Sequence, residues 1–158
     1  MSQTVNDLKA IGQWVCWDDA SGRKVPISTR GGTASSTDSK TWGTYVRAVE
    51  CAEINGFAGV GFVFSEEDEY CGVDIDDCII DGELTEEAQA LVDTLGSYTE
   101  ISPSGKGVKI FGVCKKQFKG RNENGLEYYT KSRFFTFTQN CINCEDLADL
   151  TWWFEEKH

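Results

Sequence analysis

Histidine is nearly missing from this chain of 158 residues: the single one, His158, is the last residue. That excludes Ser-His-Asp and Cys-His nucleophile schemes, HExxH zinc sites and any imidazole acid–base chemistry, which leaves carboxylates, Lys, Arg, Ser or Cys to carry a reaction. Long apolar runs are also lacking. No stretch approaches the ~20 apolar residues of a membrane span, and the polar N-terminus does not read as a signal peptide. There is no Pro-rich linker, internal repeat or low-complexity tract, so one domain over residues 1–158 is expected. Basic residues are absent from one long block: residues 61–100 hold 13 acids and neither Lys nor Arg.

What is present fits an ordinary folded domain. Hydrophobic residues make up 40% of the chain, and five Trp, five Tyr and nine Phe argue for a real core rather than disorder. Seven cysteines show no regular framework, and the odd count leaves at least one unpaired, so free thiols in a cytoplasmic protein are expected. The net charge of −11 is segregated. Residues 101–140 carry eight bases against Glu123 and Glu127, directly after the base-free acidic block. Such asymmetry fits a site that holds metal on one side and a polyanion on the other.

Periodicity predicts the elements. Gln13–Trp17 alternates as a strand, and Arg23 to Ile27 leads through Pro26 into the polar loop Ser28–Lys40. A helix start near Asp38 or Thr41 precedes Trp42–Asn55, where Tyr45, Val46, Val49, Ala52 and Ile54 recur at helical spacing. Gly59–Phe64 and Tyr70–Asp76 read as a hairpin closed by the acidic turn Ser65–Glu69, and Leu84–Leu95 as a helix. Strands are expected at Tyr98–Ser102, Val108–Cys114, Leu126–Tyr129 and Arg133–Thr138, followed by an amphipathic tail that packs Leu147, Leu150 and Trp153 on the sheet. The class is α+β with a largely antiparallel sheet.

Three blocks carry candidate chemistry. In Tyr70-Cys71-Gly72-Val73-Asp74-Ile75-Asp76-Asp77, strand geometry puts Asp74 and Asp76 on one face. Adjacent like charges are costly without a cation between them, and paired oxygen ligands suit Mg²⁺ or Mn²⁺. Glu127, an isolated acid in an apolar strand of the basic segment, would complete a two-metal site. The turn Ser102-Pro103-Ser104-Gly105-Lys106-Gly107, between strands, offers hydroxyls and N–H groups that with Lys106 and Lys109 would cradle phosphate. It is not a Walker A loop, because Gly107 follows the Gly-Lys pair. Arg133 adds a planar, permanently charged fork. Two other patterns fail: Asp74 to Thr85 lacks the EF-hand ligands, and Cys141-Ile142-Asn143-Cys144 has zinc-like spacing but no second pair or internal histidine. Structural or incidental thiols are expected there.

The ordered series Trp14-Val15-Cys16-Trp17, Lys24-Val25-Pro26, Gly59–Phe64, Gly72-Val73-Asp74-Ile75-Asp76-Asp77, Tyr98–Gly107 and Leu126-Glu127-Tyr128-Tyr129 with Arg133-Phe134-Phe135-Thr136 resembles the primase–polymerase domain of phage and plasmid replication proteins, in the archaeo-eukaryotic primase superfamily. The resemblance implies a primase–polymerase-like fold, a largely antiparallel or mixed sheet flanked by helices. It also implies joining of nucleotides on a DNA template, with Asp74, Asp76 and Glu127 as catalytic metal ligands for Mg²⁺ or Mn²⁺. Ser102, Ser104, Lys106 and Arg133 fall where family members contact the incoming triphosphate, and Lys109 stands where many have histidine. Implied partners are nucleoside triphosphates, a DNA template and a helicase domain or replication partner. The alternative is a primase-fold acidic protein without catalysis, a nucleic-acid mimic or anti-defence binder that would use acids such as Glu66, Glu67, Asp68 and Glu69.

Overall fold

The structure is a computed structural model that describes residues 2–158. Hydroxyl caps start its helices. Thr4 caps α1 (Val5–Lys9) in a reciprocal box with Asp7, Thr44 caps α2 (Tyr45–Asn55) and Thr85 caps α3 (Glu86–Leu95). Each side chain accepts an N–H that the first turn would otherwise leave without a partner. Gly56 and Gly96 close α2 and α3 in the left-handed region, and α4 (Thr151–Lys157) ends the chain.

The expected start of α2 is corrected. Asp38 caps only a 3₁₀ turn, Ser39–Thr41, because the backbone of Gly43 is committed to a two-bond bridge with Trp14. The helix can begin only after that bridge. Its buried residues are Ala48 and Ala52, whereas Val46 and Ile54 are 61% and 82% exposed, so the expected apolar stripe is only partly used.

The strands are β1 (Trp14–Asp18), β2 (Val25–Ile27), β3 (Gly59–Phe64), β4 (Tyr70–Ile75), β5 (Ile79–Ile80), β6 (Glu83–Leu84), β7 (Thr99–Ile101), β8 (Val108–Val113), β9 (Arg121–Glu123), β10 (Leu126–Tyr129), β11 (Arg133–Phe137) and β12 (Cys141–Asn143). They form a four-stranded sheet of order β11-β3-β1-β2, a six-stranded sheet of order β12-β7-β8-β4-β10-β9 and the small β5-β6 ribbon. Every ladder between these strands is antiparallel, in keeping with an α+β class.

Two sheets rather than one mean that β3 and β4 are not a hairpin. Both edges of β3 are taken, by β1 and β11, so β4 crosses to the other sheet. The crossing turn is held by Asp68, whose carboxylate accepts from the Gln13 amide (2.6 Å) and from the N–H groups of Ser65 (3.2 Å) and Tyr70 (2.6 Å).

One aromatic core joins the two sheets. Trp14, Phe62, Phe64, Phe135 and Phe137 from the four-stranded sheet meet Phe111 and Tyr129 from the other, and Tyr98 just before β7. The Phe64 and Phe135 rings pack edge to face at 4.9 Å. They approach β4 at Gly72, where a methyl group would overlap the Phe135 ring. The opposite face of the six-stranded sheet (Cys71, Val73, Val108, Ile110, Tyr128) packs on α3 and α4. Leu147, Leu150 and Trp153 of the tail are buried, as expected, although α4 starts only at Thr151.

Cys141 and Cys144 are joined in a disulfide, Cα atoms 5.4 Å apart, which corrects the expectation of thiols there; the other five cysteines are free. Among the described residues no helix is long and apolar enough to cross a membrane.

Candidate active site

Strand register aligns the polar residues in a row. Glu100 on β7 lies opposite Lys109 on β8, Lys109 opposite Asp74 on β4, Asp74 opposite Glu127 on β10, and Glu127 opposite Asn122 on β9. Residues directly opposite in an antiparallel ladder present side chains to the same face, so five strands deliver one line of polar groups. The face is the one that carries Tyr98, Phe111 and Tyr129 two residues further along, which makes the row the polar end of the aromatic core. Asp76 follows Asp74 on that face, at the mouth of the cleft.

Asp74, Asp76 and Glu127 each offer one carboxylate oxygen within 4.8 Å of the others. Asp74 is buried, Glu127 half-buried and Asp76 exposed. Burial pushes the Asp74 carboxyl up to about 6, with Asp76 and Glu127 adding to the rise and Lys109 opposing it. Asp76 is raised first by the partial loss of water on its side facing the site and then by Glu127. Three hard oxygen donors that raise one another's proton affinity are a donor set suited to Mg²⁺ or Mn²⁺.

Cations approach from three directions. Lys109 Nζ lies 3.1 Å from Asp74 Oδ1 and 4.9 Å from the centroid of the Phe135 ring. It therefore belongs to the row of acids and not to the Ser-Gly turn. Lys106 sits in that turn, which docks beside Asp76 because the Lys106 carbonyl accepts the N–H groups of Cys78 (2.9 Å) and Ile79 (3.0 Å). Most of the turn's own N–H groups are consumed internally. Gly105 donates to the Ser102 carbonyl, Lys106 to the Ser104 hydroxyl and Gly107 to the Ser102 hydroxyl. Ser102 and Ser104 also bond each other at 3.1 Å. Of the backbone donors only the Ser104 N–H is left without a partner inside the turn, so the exposed Lys106 side chain and that one N–H are what the turn presents outward.

Arg133 comes from the first residue of β11, in the other sheet. Its guanidinium lies 4.4 Å from the Tyr129 ring centroid and donates to the Tyr129 hydroxyl at 2.6 Å. That hydroxyl in turn donates to Glu127 Oε1 at 2.7 Å. Tyr129 was not expected in the site. The signal was available, since it lies two residues from Glu127 on one strand and so shares its face.

Lys24, just before β2, is a second unexpected neighbour. Partial loss of water around it and then the positive charge of Lys109 pull its ammonium down, while Asp74 and Asp76 oppose the shift. Glu100 completes the row but is otherwise engaged: it accepts from the Tyr98 hydroxyl and from the N–H groups of Thr138 and Gln139, at 2.7, 2.7 and 3.0 Å.

Two hollows flank the acids. A groove of about 820 Å³ between α3 and the β9-β10 turn has an apolar floor of Ile75, Leu91 and Leu126 under Asp76, Asp77 and Glu123. A pocket of about 480 Å³ on the Arg133 side is lined by Lys119, Lys131 and Arg133 around Phe118 and Tyr129.

Fold and site together describe a two-sheet α+β protein with a carboxylate cluster on central strands, facing cations from the opposite sheet and a docked turn. No protein-family model matches the chain. It is similar to the DNA primase-polymerase of Nitratiruptor phage NrS-1, at 31% identity over 151 residues. The match takes in 90% of this chain and 21% of the relative, so the chain spans about a fifth of that protein's length. The similarity supports a primase–polymerase relationship at the level of family.

Proposed function

We propose that the chain carries a centre for template-directed nucleotidyl transfer, a DNA primase/polymerase of phage or plasmid replication, housed in one primase–polymerase-like domain over residues 1–158. The observation that carries this reading is the convergence of Asp74, Asp76 and Glu127 within 4.8 Å, with Lys109 3.1 Å from Asp74 and Arg133 3.9 Å from Glu127. Mg²⁺ or Mn²⁺ held by the three acids would supply Lewis-acid activation of a primer 3′-hydroxyl and neutralise charge on departing pyrophosphate. The chain's own residues do the rest. Paired strands hold Asp74 and Glu127 at fixed separation, so little reorganisation is needed when substrate arrives. Tyr129 fixes the orientation of Glu127 and of Arg133. Lys106 and Arg133 meet the triphosphate from two sides, and Ser102 and Ser104 stiffen the turn that presents Lys106. The Lys119–Lys131–Arg133 pocket offers phosphodiester contacts to a DNA strand, with Phe118 and Tyr129 as apolar surface. A helicase domain or another replication partner would supply unwound template.

Primer extension with labelled nucleotides, in Mg²⁺ and in Mn²⁺, tests the reading: incorporation by the wild type and none by Asp76→Asn is the expected result. One observation favours a second reading, an acidic binding protein without catalysis. The 820 Å³ groove combines an apolar floor with five carboxylates and no cation among its lining residues, which suits a basic partner. The acids of the β3–β4 turn support it less, because Asp68 is bound within the turn and Glu66 pairs with Lys131 at 3.7 Å. No incorporation under any metal or primer condition, with tight binding to a nucleic-acid-binding protein, would favour this second reading.

A further inference from the structure

A lysine is an unexpected occupant of a carboxylate cluster that is to hold divalent cations. Lys109 and Asp74 are about nine-tenths buried, with side-chain exposures of 9% and 11%, and their charged atoms are 3.1 Å apart. An ammonium has no lone pair to give a metal and repels one. Its alternative anion in the row, Glu100, is already held by three donors, so the charge of Lys109 is directed at Asp74. The Phe135 ring under the ammonium favours the same position.

We propose that Lys109 is a tethered counter-cation that occupies Asp74 in the empty site, competes there with the metal, and is passed to the triphosphate when nucleotide arrives. The inference rests on the nucleotidyl-transfer reading. A lysine suits the task because its ammonium is a compact charge on a flexible four-carbon stem and can move without the backbone. In the empty site it offsets part of the repulsion among Asp74, Asp76 and Glu127. Metal entering alone must displace it and leave a buried ammonium without its partner, which is unfavourable. A triphosphate beside the acids gives that ammonium a new anion and frees Asp74 in the same event. Metal and nucleotide then promote each other's binding, and by linkage each raises the affinity of the other by the same factor. The device would keep the site from loading tightly with metal before a nucleotide is present.

The test is Mn²⁺ binding to the whole chain, followed by calorimetry without nucleotide, for the wild type, Lys109→Gln and Lys109→Arg. The titration is repeated with a non-hydrolysable nucleoside triphosphate. The Gln variant should bind Mn²⁺ roughly 10-fold tighter than wild type, as expected when a competing charge is removed, and the Arg variant, which keeps the charge, should not. The triphosphate should raise the Mn²⁺ affinity of the wild type by a larger factor than that of the Gln variant. Lys109→Met, close in length to lysine, replaces the Gln variant if the amide prevents folding. Mn²⁺ binding by the wild type with an affinity that Gln or Met leaves within twofold, or weakens, overturns the tethered-cation role alone. Failure of every protein to bind Mn²⁺, with or without triphosphate, overturns both it and the nucleotidyl-transfer reading.

Discussion

The acidic and the cationic sides of the cleft are built in different ways. Asp74 and Glu127 sit on adjacent central strands, opposite each other in register and flanked by β8 and β9, so their separation is set by a ladder of backbone hydrogen bonds. Lys106 rides on an exposed turn, and Arg133 reaches in from the first residue of β11, held by the Tyr129 ring and hydroxyl. One side is rigid and partly buried, and the other can adjust. That division suits a site in which metal geometry must be kept while nucleotides enter and leave.

The comparison makes the largest predicted effect an acidic one. Asp76→Asn or Glu127→Gln should lower nucleotide incorporation by about 10³-fold or more, since an amide cannot replace an ionised metal ligand. Circular dichroism should show an unchanged fold, because Asp76 is exposed and Glu127 half-buried. Incorporation that survives within tenfold would remove these acids from the reaction. On the cationic side the loss should be smaller and graded. Lys106→Ala and Arg133→Ala should each weaken triphosphate binding by about 1.5–3 kcal/mol, the range for a charge-assisted contact. Calorimetry in the presence of metal measures it, and unchanged affinity in both variants would break the two-sided picture. Of the two, Arg133→Ala should also disturb Glu127, because it removes the partner of the Tyr129 hydroxyl.

Between the two sides lies the junction of the sheets, where Gly72 faces Phe64 and Phe135. Gly72→Ala forces a methyl group against both rings and should cost about 1–3 kcal/mol, the usual range for overpacking a core. Denaturant unfolding gives the number. If the sheets were only loosely apposed, the variant would be as stable as wild type.

How far these features could be read in the amino-acid sequence depends on the range over which they are decided. The Asp74–Asp76 pair follows from strand periodicity alone, and Glu127 stood out as an acid in a basic, aromatic segment. Class, most strand positions and the start of α3 at Thr85 depend on local chemistry. Strand partners do not. Gly59–Phe64 and Tyr70–Asp76 carry every local mark of a hairpin, yet residues 14–17 and 133–137 claim both edges of β3 from a distance. The helix start moved for the same reason, a bridge between Gly43 and Trp14. Lys109 was legible as a cation near the site, but its partner was not, because its pairing with Asp74 depends on the β4-β8 register.

The smallest predicted effect is also the most direct measure of strain on the acidic side. The carboxyl of Asp74 lies at about 6 in the fold, against about 3.9 in an unfolded chain. A raised carboxyl means that the folded state takes up its proton first as pH falls. The associated stability is fully present below about pH 4, where both states are protonated, and is lost as pH rises through 6. The metal-free protein therefore bears a penalty at pH 7.5 that Asp74→Asn relieves. The raised value is a net one, with the Lys109 attraction already opposing the rise, so the shift sets the gain at about 3 kcal/mol. The variant's amide must itself be buried beside Lys109, which takes back part of that gain, and a net gain of about 1–2 kcal/mol is expected. Urea unfolding of both proteins at pH 4 and pH 7.5, in chelator, should show the variant ahead at the higher pH with the advantage shrinking at the lower. Saturating Mn²⁺ should reverse the order at pH 7.5, because bound metal stabilises the folded wild type and the variant has lost a ligand. A variant less stable than wild type at pH 7.5 in chelator would mean that the Lys109 pair, and not the repulsion among the three acids, dominates the site.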